Sequence, residues 1–428
     1  MFDAKILLIQ ICVILATARA VGWLLGRIYQ PRVVGEMVAG ILLGPSLLGW
    51  VAPELSAYIF PPESLAPLHW LSQVGLLLFM FMVGLEIDTR KLRGMGHTAV
   101  AISHTSIIVP FALGSLLALQ LYSKVADDTI PFTGFVLFTG VAMSVTAFPV
   151  LARILSERNL LGTGLGTITI ACAAVDDVTA WCLLAVIIGM VKSNVGQLTL
   201  WQMLLGLAVY LGVMLFVIRP LIGRLMARRD GAAVTYPLTA VAIVFVLASS
   251  WATEWLGIHA LFGAFLAGAV MPKGEGLSEG VREKLRLPVA LLIPLFFVYS
   301  GLRTNIGLIS GRAMLLYCGL VFAVAVVGKL GGSMVAARVT GRPWREAAAI
   351  GVLMNTRGLV ELVILNIGLD IGVLPRPFFS MMVVMAVGTT LMTTPLLMWI
   401  YPMTSEQAFF TKGMSKLQQP APGPAVSS

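Results

Sequence analysis

Two adjacent aspartates, Asp176 and Asp177, stand in the middle of an apolar stretch, GTGLGTITIACAAVDDVTAWCLLAVIIG, which at roughly 28 residues is long enough to cross a bilayer. A carboxylate at the centre of a membrane helix costs about 2.5–3.5 kcal/mol on insertion scales, and a second one beside it adds like-charge repulsion. Residues kept at that cost bind a cation, carry a proton, or do both. Further charges fall at membrane depth: Lys329 in VFAVAVVGKLGG, and Arg357 with Glu361 in MNTRGLVELVI. One lysine facing two aspartates pairs with one of them and leaves the other for a metal cation or a proton. Neighbouring helix positions point about 100° apart, so the two carboxylates cannot both face Lys329 directly and should titrate as a coupled pair.

The elements that must hold these charges follow from composition. Of 428 residues, 58% are hydrophobic and 11% charged, with a mean hydropathy of +0.93, against roughly 25% charged in a soluble domain. This is the composition of an all-α, multi-pass integral membrane protein with the lipid bilayer as its main partner. About thirteen spanning helices are expected, near 4–26, 33–51, 69–87, 97–122, 131–154, 162–190, 200–223, 233–252, 257–272, 287–302, 313–336, 345–369 and 377–401. The first run lacks a small-residue cleavage site and is too long for a removed signal peptide.

The net charge of +9 comes from bases in alternate loops: Arg27 and Arg32; Arg90, Lys91 and Arg93; Arg153 and Arg158; Arg224, Arg228 and Arg229; Lys273, Arg282, Lys284 and Arg286; Arg338, Arg342 and Arg345. The intervening loops hold acids such as Glu54, Glu63, Asp127 and Asp128. The positive-inside rule explains this better than nucleic-acid binding, which is excluded. It puts the N-terminus outside and the C-terminus in the cytoplasm, in the setting of a bacterial inner membrane. Four cysteines (Cys12, Cys172, Cys182, Cys318) lie singly in apolar runs and read as small core residues.

An internal repeat is visible. GVAMSVTAF (Gly140 to Phe148) aligns with GVLMNTRGL (Gly351 to Leu359), and FMFMVGL (Phe79 to Leu85) with FFVYSGL (Phe296 to Leu302); Gly140 to Gly351 and Phe79 to Phe296 are offsets of 211 and 217. Helices two to six then correspond to helices nine to thirteen, an odd shift, so the five-helix units are inverted. Such repeats characterise secondary transporters with a site near the midplane. Residues 1-402 form the transmembrane domain (repeat one about 33-190, linking helices about 200-252, repeat two about 257-401), and 403-428, ending QQPAPGPAVSS, a short disordered cytoplasmic tail.

Both repeated stretches contain helix breakers. Pro149 has no N–H for the carbonyl of Val145, and the hydroxyls of Ser144 and Thr146 can serve freed backbone groups; Asn355, Thr356, Arg357 and Gly358 are expected to do the same in the partner. Two discontinuous helices put helix termini at bilayer depth, where they cradle ions and need compensating charge from Lys329, Arg357 and Glu361. Glu361 is read as balancing Arg357. His104 is read as a hydrogen-bonded core group, Arg303 as solvated or in contact with headgroups, and Glu36 and Glu86 as partly solvated at helix ends. No group of nucleophile, base and oxyanion donors is present to suggest an enzyme, and no cofactor is expected.

These segments carry a resemblance. QPRVVGEMVAGILLGPSLLG (Gln30 to Gly49), SVTAFPVLARIL (Ser144 to Leu155), VDDVTAWCLLA (Val175 to Ala185), PLFFVYSGLRTNI (Pro294 to Ile306) and MNTRGLVELVILNIGL (Met354 to Leu369) resemble the monovalent cation/proton antiporter superfamily. The branch resembled holds plant cation/proton exchangers and fungal potassium/proton antiporters. The resemblance implies a homodimer, a mobile core sliding against a fixed dimerisation domain, and two crossed broken helices. It also implies that Asp177 carries the transported Na+ or K+ and the proton, that Asp176 pairs with Lys329, and that Thr146 lends an oxygen. Plant-branch exchangers commonly have Asn-Asp here; the double aspartate resembles electrogenic sodium/proton antiporters instead. The chain ends without the long cytoplasmic tail of plant exchangers or a nucleotide-binding domain, so nucleotide gating is not expected.

The expected mechanism is competition at one site. The cation displaces protons, the core moves and releases it, and the site returns protonated; an empty charged site is too costly to carry past the barrier. The alternative is a gated monovalent cation channel without obligatory proton coupling.

Overall fold

The computed structural model describes residues 4–28, 30–86, 97–160, 163–192, 200–227, 236–272 and 277–402. The 403-428 tail and the bases Arg90, Lys91, Arg93, Arg228, Arg229 and Lys273 lie outside the described residues. Among the described residues every regular element is helical. The helices are α1 (Ala4–Arg27), α2 (Arg32–Leu43), α3 (Leu65–Glu86), α4 (His97–Val125), α5 (Phe132–Ser144), α6 (Phe148–Glu157) and α7 (Gly164–Lys192). Then come α8 (Leu200–Gly212), continued by a π-helical stretch, Val213–Ile218, into α9 (Arg219–Ala227), and α10 (Tyr236–Trp255), α11 (Ala260–Val270) and α12 (Leu277–Leu302). α13 (Arg312–Val326) passes through a second π-helical stretch, Val327–Gly331, into α14 (Gly332–Val339), followed by α15 (Trp344–Met354), α16 (Leu359–Asp370) and α17 (Arg376–Ile400); short helical segments at Leu48–Val51, Pro53–Ile59, Pro62–Ser64 and Ile306–Ile309 lie in the connections.

All thirteen expected apolar runs are largely helical, with three departures in length; the run at 33–51 is interrupted after Leu43 and resumes only as a single turn, Leu48–Val51. Among the described residues 11 helices are long and apolar enough to span a membrane, and α15 with α16 make a further, broken span bent by 42°. The run at 257–272 instead forms α11, 11 residues capped by His259 and about 16 Å long, roughly half the hydrocarbon thickness. The third departure is α12, which starts at Leu277 rather than near 287, so Arg282, Lys284 and Arg286 are helical rather than in a loop. Arg282 there pairs with Glu86 of α3 at 3.1 Å, and helix continues past Pro288 and Pro294, tolerated in membrane helices whose neighbours serve the lost bonds.

The helices pack in two groups. One comprises α1, α2, α3, α10, α11 and α12; the other comprises α4 to α7 and α13 to α17. Within the first, α3 and α11 cross with almost no side chain between them. A Cβ on Gly84 would stand 2.1 Å from Phe265 O, and one on Gly268 would stand 2.1 Å from Phe81 O. Gly84→Ala is therefore expected to cost about 3 kcal/mol, the upper end of overpacking penalties, read as a lowered melting temperature in detergent.

Candidate ion-binding site

The two discontinuous helices meet in the second group. α5 stops at Ser144 and α6 begins at Phe148, with Val145 extended (φ −77°, ψ 139°). The interruption starts at the residue whose carbonyl Pro149 could not serve, and Pro149 falls in the first turn of α6, where its missing N–H costs nothing. In the other helix Asn355 to Gly358 separate α15 from α16. The two breaks touch: Ala147 N donates to Thr356 O at 2.9 Å. The breaks are closely packed at Gly358, where a Cβ would stand 2.9 Å from Val150 Cγ2 and would have to displace that methyl.

A helix leaves its last four carbonyls without partners, and at bilayer depth each must be met. Those of α5 are all met. Ser144 Oγ donates to Val141 O at 2.8 Å, Arg357 Nη1 to Ala142 O at 3.1 Å, Arg357 Nη2 to Met143 O at 2.8 Å, and Lys329 Nζ to Ser144 O. Two buried cations thus sit at the negative end of the α5 dipole. Thr146 Oγ1 returns the service, 3.0 Å from Met354 O at the end of α15. Asn355 and Thr356 do not act as expected: Asn355 Oδ1 and the Thr356 hydroxyl are buried without partners, and Thr356 contributes its backbone oxygen instead.

Each cation has its own anion. Arg357 Nη1 lies 3.1 Å from Glu361 Oε1, both side chains wholly buried, which is the balancing role expected of Glu361. Lys329 Nζ lies 2.7 Å from Asp176 Oδ2 and also donates to Ser106 O at 2.8 Å, so with Ser144 O its three protons are all used. Asp176 Oδ2 further faces Ser106 Oγ at 2.6 Å and Thr146 Oγ1 at 2.9 Å, while Oδ1 faces Ser103 Oγ at 3.2 Å.

Asp177 contrasts with its neighbour. It is equally buried, yet neither carboxylate oxygen closes a hydrogen bond; the Phe148 amide at the start of α6 is directed toward it. A cavity of about 780 Å3 runs in from the side carrying Arg153, Arg282 and Arg286, and reaches Pro149, Val150 and Leu359 at the starts of α6 and α16. Thr146→Val removes the hydroxyl shared by Asp176 and Met354 O and is expected to cost about 1–3 kcal/mol, measurable by thermal denaturation.

Residues 13–399 match the model of the family described as "Sodium/hydrogen exchanger, transmembrane". The chain belongs to this family. It is 43% identical over 401 residues to the Na(+)/H(+) antiporter NhaS4 of Synechocystis, covering 93% of this chain and 97% of that one. It is 43% identical over 400 residues to Cation/H(+) antiporter 17 of Arabidopsis thaliana, and 34% identical over 409 residues to K(+)/H(+) antiporter 1 of Saccharomyces cerevisiae. Each of these two alignments covers 92% of this chain, but the chain spans about half the length of the plant and yeast relatives (48% and 46%). The fold of this sodium/hydrogen exchanger family member matches that of the sodium proton antiporter MjNhaP1 from Methanocaldococcus jannaschii, with a TM-score of 0.66 at 13% identity over 95% of this chain and 97% of that one.

The exchanger fold thus brings together Asp176, Thr146, Ser144, Lys329, Arg357 and Glu361, with Asp177 beside them. It also adds residues that sequence reasoning passed over. Ser103 and Ser106, three apart on one face of α4, clasp Asp176, and Thr390 of α17 holds the Arg357 backbone, accepting from its N at 3.1 Å and donating to its O at 2.7 Å. His104, between those serines, is exposed and turned to Val100 O at 2.9 Å rather than buried in the core. Arg303 is not simply solvated: it is ion-paired with Asp370 at 2.6 Å.

Proposed function

We propose that this chain is a secondary active antiporter that exchanges a monovalent cation, Na+ or K+, for protons by alternating access, with Asp177 as the carrier. The carrying observation is a charge count. The charged side chains wholly buried among the described residues are Lys329, Arg357, Asp176, Glu361 and Asp177. Two cations are matched by two anions in close pairs, and Asp177 alone has no partner. One unit of negative charge is left over, which one monovalent cation or one proton neutralises. An empty, ionised Asp177 is too costly to move through a dry barrier, so the site crosses loaded with one or the other.

The relatives named as Na+/H+, cation/H+ and K+/H+ antiporters support this reading. Thr146 and the unpartnered oxygens of Asn355 and Thr356 would supply further ligands. The opposed helix ends at the two breaks fit an inverted repeat, and the division into two packed groups fits a core moving against a fixed, dimer-forming frame. The N-terminus would lie outside and the C-terminus in the cytoplasm of a bacterial inner membrane, with the vestibule opening to the cytoplasm.

The test is cation-driven proton movement in proteoliposomes: a Na+ or K+ gradient should generate a pH difference, whereas cation flux without proton movement would indicate a channel. Competition at one carboxylate adds a quantitative expectation. In the range where protons compete, the apparent KM for the cation should rise about tenfold for each unit the pH is lowered. A KM indifferent to pH would refute a shared site.

A further inference from the structure

The two helix groups meet differently at the two ends of one helix pair, α12 and α16. At the basic side they part around the vestibule, lined by Val289, Ile293 and Pro294 of α12 and by Leu359 of α16. Toward the other end they are tied. Asn366 Nδ2 donates to Ser300 Oγ at 2.7 Å, Arg303 Nη1 donates to Asn366 Oδ1 at 3.1 Å, and Arg303 Nη2 pairs with Asp370 Oδ1 at 2.6 Å. Ser300 and Asn366 are buried, whereas the side chains of Arg303 and Asp370 are 20% and 45% exposed, so the ties run from the interior to the surface. From Pro294 to Ser300 and from Leu359 to Asn366 is roughly 10 Å of helix, which is the thickness of the wall between vestibule and ties.

The chemistry of the ties distinguishes a gate from a permanent seam. Two helix groups that never separate are joined most cheaply by apolar side chains, since buried polar and ionic contacts gain little over well-packed hydrophobic ones. A hydrogen-bonded seam can exchange each of its bonds for one to water at small net cost. An apolar seam cannot be wetted on those terms. α16 is also the outer half of a broken helix whose first residues adjoin the site.

We infer that Ser300, Arg303, Asn366 and Asp370 form a latch that closes the route to Asp177 from the side opposite the vestibule and parts once in every exchange cycle. This inference rests on the antiport reading above and assigns it a second set of residues, gating rather than ion-binding.

The experiment is a reversible lock. Ser300 and Asn366 side chains touch, so Ser300→Cys with Asn366→Cys, in a chain whose four native cysteines are replaced by alanine, sets two thiols on facing positions of α12 and α16. In proteoliposomes, oxidation with copper phenanthroline should lower exchange at least about tenfold, and dithiothreitol should restore it. A verified crosslink that leaves the exchange rate unchanged overturns the latch. If no crosslink forms, or the reduced protein is itself inactive, Asn366→Cys alone decides: an impermeant thiosulfonate added from the Asp370 side should modify it severalfold faster under cation and pH gradients than without them. Equal rates overturn the inference. The unsubstituted protein in the same vesicles tests antiport separately, so loss of one reading is not confused with loss of the other.

Discussion

Asp177→Asn should abolish cation-driven proton movement and yet leave the protein at least as stable as the parent. The substitution keeps the shape of the side chain and removes the one wholly buried charge among the described residues that has no charged partner. An uncompensated buried carboxylate is a liability to folding, so its neutralisation should hold or raise the melting temperature. Loss of transport without loss of stability is the signature of a residue retained for function, and the two are read on one preparation by a proteoliposome assay and a thermal scan. Exchange persisting in Asp177→Asn would refute the carrier assignment. A melting temperature several degrees lower would show instead that the carboxylate is bound into the fold.

Lys329 should behave in the opposite way. Lys329→Met strands Asp176 and leaves Ser144 O and Ser106 O without their donor. Breaking one partner of a buried pair costs about 3–5 kcal/mol, so this should be among the most destabilising single changes in the chain. The second substitution is the diagnostic one. Adding Asp176→Leu to Lys329→Met removes the orphaned charge, and about 2 kcal/mol or more should return. Additive losses in the double variant would mean that the two side chains are not energetically coupled, against the 2.7 Å contact between them.

The legibility of the site follows from the size of the signals. Charge inside an apolar run is expensive and therefore conspicuous, and the five charged side chains wholly buried among the described residues stand out in the sequence for that reason. Hydroxyls are cheap. In a helix a serine or threonine can satisfy itself on the carbonyl four residues back, as Thr139, Thr169 and Thr389 do, so nothing in their spacing separates them from Ser103 and Ser106, which reach across to Asp176. The pairing of Arg303 with Asp370 depends on the approach of two distant helices, and no local pattern announces it. Helix positions were plain from hydropathy, because a bilayer leaves few options. The start of α12 was not, because a charged amphipathic turn at the membrane surface has the composition of a loop.

The π-helical stretch at Val327–Gly331 has a consequence for how such a site is written into a chain. A π segment amounts to one additional residue inserted in an otherwise α-helical path, and each residue advances the helix by about 100°. Lys329 occupies that stretch, while Gly328 and Gly332 bring it against α4, where a Cβ on either would stand 3.0 Å from Pro110 Cα or 3.2 Å from Val109 Cβ. A chain with the same residues but one fewer here would turn a different side chain toward Asp176. The position of the lysine is thus encoded by length as much as by identity, a kind of information that a list of matched residues does not carry.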